Sequence, residues 1–152
     1  MKRNGASGEL PGLAADSSVR IRHVEGAPVV ALRVWLPGGS RAEVTPGQAL
    51  IAGRLLAEGT AHRDWRRISE ESEAQGCSIV TTAGRSVQAV AIDGLARDWE
   101  LVLEWAVELI AEASFPADRC DWLCRQATAE LESLADLPDV VAGWAFLDQL
   151  YG

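Results

Sequence analysis

The sequence predicts an α+β fold, with a mainly antiparallel sheet and helices packed on one face. Three observations carry this. Val29 to Leu36 alternates strictly, and a second alternating pair, Ser78–Ala83 and Arg85–Ile92, flanks Gly84. Asp98 to Ala113 has helical periodicity, with Glu100, Glu104, Glu108 and Glu112 at every fourth position. The order of elements, β-β-α-α-β-β-α-α-α, lacks the strand–helix alternation that a doubly wound parallel sheet requires.

Taken in order, residues 1–18 are rich in Gly, Ser and Ala without periodicity and are expected to form a flexible arm. Val19, Ile21 and His23 alternate with Arg20, Arg22 and Val24, which predicts a first strand. In the second, Val30, Leu32, Val34 and Leu36 share one face, while Arg33 and Trp35 share the other. A helix is expected from Pro46 to Glu58, with Thr45 as N-cap and Gly59 as C-cap glycine. A more polar helix follows from Asp64 to Gln75, anchored by Ile68 and Ala74 and stopped by Gly76. After the hairpin, the helix over 98–113 is expected to bury Trp99, Val102, Leu103, Ala106, Val107 and Ile110. Phe115-Pro116 breaks it. Helices then run from Asp118 to Asp136 and from Pro138 to the end.

Composition bounds the function. The 152 residues carry a net charge of −8, which disfavours nucleic acid as a partner. Residues 1–92 hold 11 basic and 9 acidic side chains, whereas residues 93–152 hold 3 and 13. This asymmetry reads as an acidic, solvated helical surface or as an acidic wall facing a basic partner. No apolar run is long enough to span a membrane, and Lys2 and Arg3 precede no apolar stretch, so a cytoplasmic location is expected. Cys77, Cys120 and Cys124 make no disulfide framework. His23 and His62 lack ligand spacing, so they are expected to be structural or surface residues. P-loop, nucleophile-elbow and H-E-x-x-H motifs are absent.

The succession from Val19 to Gly152 resembles the N-terminal part of one lobe of the M16 (insulinase or mitochondrial-processing-peptidase-like) metallopeptidases. The residues that carry it are Pro28 to Leu36 followed by Gly39-Ser40-Arg41-Ala42-Glu43, and Gly47 to Leu56 followed by Glu58-Gly59-Thr60. Ile68 to Gly76, Phe115-Pro116, Glu130-Leu131, Pro138 and Phe146 to Gly152 continue the series. No one of these patterns is specific; their colinear order makes the resemblance.

The resemblance implies a zinc site built on an H-x-x-E-H helix, with a third ligand, a glutamate, from a later helix. Here Leu50 and Arg54 stand at the histidine positions and Gly53 at the general-base glutamate. Glu130 matches the third-ligand position. Zinc needs three protein ligands and an open position for water, so the resemblance implies no zinc, no catalytic residue and no peptidase activity in this chain. Arg54 brings a permanent cation and is expected to pair with Glu130. The implied role is a non-catalytic lobe or subunit that encloses or binds peptide with a catalytic M16 partner, as an oligomer or as part of a longer chain. Residues 19–152 then form a lobe truncated at its C-terminal end. Two alternatives stand beside this one: a fragment of an active zinc metallopeptidase whose metal site lies elsewhere, and an unrelated α+β interaction module.

Overall fold

A computed structural model describes residues 19–151. The arm expected over residues 1–18 lies outside them, as does Gly152. The described elements are strand β1 (Val29–Pro37), helices α1 (Gln48–Leu55) and α2 (Trp65–Ala74), strands β2 (Ser78–Ala83) and β3 (Val87–Leu95), and helices α3 (Trp99–Ala111), α4 (Ala117–Ala135) and α5 (Pro138–Tyr151). Among the described residues no helix is long and apolar enough to cross a membrane.

The sheet has three strands in the order β1-β3-β2, antiparallel throughout. Leu32 faces Ile92, which in turn faces Ile79, so one row of apolar side chains crosses the inner face. Val19–Val24 does not form the expected strand. Ile21 makes an isolated bridge and is 58% exposed, so the alternation buries no face here. Gly26, at φ 74, then turns the chain into β1.

All the helices that touch the sheet lie on one face. Val90 and Ile92 of β3 pack with Val102, Trp105, Ala106 and Leu109 of α3, and Leu56 and Ile68 close the core from the other helices. Val90, Ile92, Val102 and Leu109 are essentially solvent-free, and burial of each contributes about 1.5–3 kcal/mol. The buried face of α3 therefore runs 102-105-106-109, the i, i+3, i+4, i+7 stripe. Three residues expected on that face, Trp99, Leu103 and Val107, are exposed instead. The helix is apolar enough on several sides that composition alone does not select which stripe meets the sheet. In α2, Ile68 is buried as expected, but Ala74 is exposed and Ser72 takes the second buried position.

The opposite face of the sheet is open among the described residues, with Trp35 65% and Val80 51% exposed. The Arg33–Asp93 pair, 2.8 Å between Nη1 and Oδ1, lies on this face.

Candidate functional site

Helix α1 is positioned by the turn that precedes it. The Glu43 carboxylate accepts from the backbone N–H groups of Gly47 (3.1 Å) and Ala49 (3.0 Å). It satisfies donors that the first helical turn leaves free and adds negative charge at the positive end of the helix dipole. The N-cap is Gly47, at φ 86, and not the expected Thr45. That left-handed residue separates Pro46 from the helix, which starts at Gln48. Gln88 Nε2 donates to the Ala49 carbonyl at 3.3 Å and ties α1 to β3.

Helix α1 carries Leu50, Gly53 and Arg54. Gly53 is buried against β2, where a Cβ would lie 3.1 Å from the Cβ of Ala83. Its lack of a side chain lets the helix lie close to the strand. One residue on, Arg54 points toward α4. Its two terminal nitrogens donate to the two oxygens of Glu130, Nη1 to Oε1 at 3.2 Å and Nη2 to Oε2 at 2.7 Å. The hydrogen bonds from Arg54 hold the Glu130 carboxyl below the usual carboxylate range. The pair borders a shallow recess of about 280 Å³ that is also lined by Glu58, Thr81, Trp122 and Leu123. The structure thus brings Arg54 and Glu130 together, 76 positions apart in sequence, and leaves Leu50 and Gly53 with no polar side-chain atom to add to them.

Next to this recess lies an assembly that the sequence reading missed. Arg119 Nε donates to Glu58 Oε2 at 2.6 Å, with both side chains less than one-fifth exposed. The guanidinium lies 4.5 Å from the centre of the Trp65 ring and 4.3 Å from that of Trp122. One cation therefore joins the segment after α1 to α2 and α4.

The Gly59-Thr60 segment follows Glu58, which lines the recess. Helix α1 ends at Leu55 with Leu56 as its C-cap, so Gly59 is not the expected helix-capping glycine. It pairs instead with Asp64 in an isolated bridge. A Cβ at Gly59 would come within 2.8 Å of Pro116 Cγ and Ser114 Oγ, so close approach is what requires glycine. Thr60 Oγ1 accepts from the Arg63 N–H at 2.9 Å and donates to Glu108 Oε1 at 2.6 Å. Arg63 bonds both Glu108 and Glu71 and lies 4.8 Å from the centre of the Trp105 ring. Burial opposes ionisation of Glu108, and the hydrogen bonds from Thr60 and Arg63 outweigh it, so its pKa is lowered. Glu108, expected on a solvated stripe, is thus the centre of a half-buried network.

The remaining candidates do not converge. His62 pairs with Glu112 at 2.9 Å on the surface, and His23 is exposed. The three cysteines are free, with Cys77 buried and Cys124 exposed. Among the described residues no three His, Cys, Asp or Glu side chains cluster so as to hold a metal ion.

Comparison with known proteins identifies the family. The sequence matches the model for insulinase (peptidase family M16) over residues 18–143. The fold superimposes on the crystal structure of a peptidase M16 inactive domain from Pseudomonas fluorescens, with a TM-score of 0.87 and 24% identity. That match covers 98% of this chain and 36% of that chain. No curated protein matches the sequence. The family match excludes the unrelated α+β module: this chain belongs to the insulinase (M16) peptidase family.

Proposed function

We propose that the chain is a non-catalytic M16 domain, one that contributes to a peptide-enclosing assembly with a catalytic M16 subunit or lobe and does not cleave peptide itself. The observation that carries this reading is the Arg54–Glu130 pair. The resemblance puts zinc between these two positions, and here a guanidinium occupies both oxygens of the carboxylate. The donor set does not fit the metal. Leu50 has no donor atom, Gly53 has no side chain to activate a water, and a permanent cation repels Zn²⁺. Restoring a carboxylate at position 53 also meets β2, because the first carbon of any side chain there lies 3.1 Å from Ala83.

The test is metal analysis of the purified chain, together with cleavage of a fluorogenic peptide library with and without EDTA. The expected result is substoichiometric zinc and no chelator-sensitive cleavage by the chain alone, with cleavage only by an added catalytic M16 subunit. One zinc per chain and EDTA-sensitive cleavage would overturn the reading. The second reading, a fragment of an active zinc peptidase whose metal site lies elsewhere, draws on the length: the chain spans 36% of the solved relative. It requires zinc and activity to return when the same preparation is supplied as part of a longer chain.

A further inference from the structure

We propose that Cys120 and Cys124 of α4 form a two-coordinate site for a soft, thiophilic metal ion, Cu(I). The two residues stand at i and i+4 inside a regular helix that runs from Ala117 to Ala135. Side chains at that spacing lie one above the other on the same side of the helix. The buried residues of α4 are Leu123 and Ala127, so the two cysteines sit beside its inner face, with Cys120 half-buried and Cys124 exposed. Both are free thiols. They are near enough to act on each other: burial first, and then the Cys124 thiol, push the Cys120 thiol above its ordinary pKa. Both ligands belong to one helix, so no other segment has to complete the site.

Spacing selects the chemistry. On a helix the Cβ atoms of such a pair are about 5–6 Å apart. A disulfide needs about 3.5–4.5 Å, so the helix holds these thiols too far apart to oxidise to one without unwinding. A metal ion bridges the gap: two metal–sulfur bonds of about 2.3 Å, in line, put the sulfurs about 4.6 Å apart. The number of ligands then selects the metal. Zinc needs at least three protein ligands, and among the described residues no third His, Cys, Asp or Glu clusters with these two. One turn further on stands Thr128, whose hydroxyl donates to the Cys124 carbonyl at 2.9 Å. Cu(I) is soft and is satisfied by two thiolates. Its binding breaks two S–H bonds, forms two S–Cu bonds and releases two protons to water, with no change of oxidation state. The third thiol, Cys77, is 6% exposed within the hydrophobic core, away from α4 in the sequence. This inference does not depend on whether the domain is catalytic.

The test loads the full, reduced chain with Cu(I) under nitrogen and titrates it with bathocuproine disulfonate, a chromophoric competitor. The expected result is one Cu(I) per chain, held without dimerisation in sedimentation. The affinity is expected to rise about a hundredfold per pH unit between pH 6 and pH 8, because two thiol protons are displaced. Cys120→Ser and Cys124→Ser are each expected to weaken binding at least a hundredfold, whereas Cys77→Ala leaves it unchanged. Moving the second thiol by one position, with Cys124→Ser and Arg125→Cys together, is expected to weaken it as much, because residue 125 lies on another side of the helix. Unchanged circular dichroism confirms that each variant is folded. No Cu(I) retained against the competitor, full retention by either single serine variant, equal loss in folded Cys77→Ala, or one copper shared between two chains would each overturn the proposal.

Discussion

Arg54–Glu130 and Arg63–Glu108 are both guanidinium–carboxylate pairs that cross the fold, but they sit at different depths. Arg54 and Glu130 retain 31% and 44% of their side-chain exposure and have each other as their polar side-chain partner. Glu108 retains 13%, and it is held by Thr60 as well as by an arginine that also binds Glu71 and lies against Trp105. An exposed pair contributes at most about 1 kcal/mol, because water and salt screen it. A half-buried network leaves costly unpaired groups when one member is removed. The position most telling about family chemistry is therefore not the position on which folding depends.

Glu108→Ala tests this difference most severely. It removes the partner of both Thr60 and Arg63, and the expected loss is about 3 kcal/mol of unfolding free energy by urea denaturation. A loss below 1 kcal/mol would make the two sites equivalent. Arg119→Ala is expected to cost about 2 kcal/mol, since it unstacks Trp65 and Trp122 and leaves Glu58 unpaired. Arg119→Lys, which keeps the charge but not the flat stacking surface, is expected to recover less than half of that.

Acid sharpens the comparison further. Glu108 and Glu71 have pKa values lowered in the folded chain by the hydrogen bonds they accept. Their contribution is complete above the unfolded carboxylate pKa of about 4.3 and is lost as pH falls through the lower folded-state values. Urea midpoints measured from pH 6 down to pH 3 are expected to fall less steeply for Glu108→Gln than for the unaltered chain. Parallel curves would place the acid-sensitive groups elsewhere. The smallest effect is expected for Arg54→Leu, at most about 1 kcal/mol, with a double-mutant cycle against Glu130→Gln returning a coupling of about 0.5 kcal/mol. A coupling above 2 kcal/mol would make this pair a principal tie between α1 and α4.

What the sequence made legible follows from the range of each signal. The hairpin, β1 and the boundaries of α3 to α5 rest on alternation, periodicity and breakers within a few residues, and these appear in the structure within two to three positions. Phe115 takes φ 48 where the helix was expected to break. The antiparallel sheet with helices on one face follows from the same local patterns. The misreadings arise where tertiary packing decides. Val19–Val24 alternates but has no buried residue, and α3 offers more apolar residues than the sheet can cover, so periodicity alone does not place Trp105 and Leu109 inside and Leu103 and Val107 outside. Glu108 reads as one of four evenly spaced surface glutamates until Thr60 and Arg63 arrive from 48 and 45 residues away. Arg119 meets Glu58 from 61 residues away, a separation that leaves no periodic trace. Arg54 and Glu130 could be considered together only because the family resemblance assigned both to one place.

The Arg119 guanidinium, close to the rings of both Trp65 and Trp122, couples the local opening of two helices. Helix α4 cannot lift away at its N-terminal end without separating Arg119 from the Trp65 ring of α2 and from Glu58, so α2 and the first turns of α4 should open as one unit. Helix α5 has no such tie. In hydrogen exchange its amides should therefore be replaced first, and those around Trp122 only when the amides of α2 go with them.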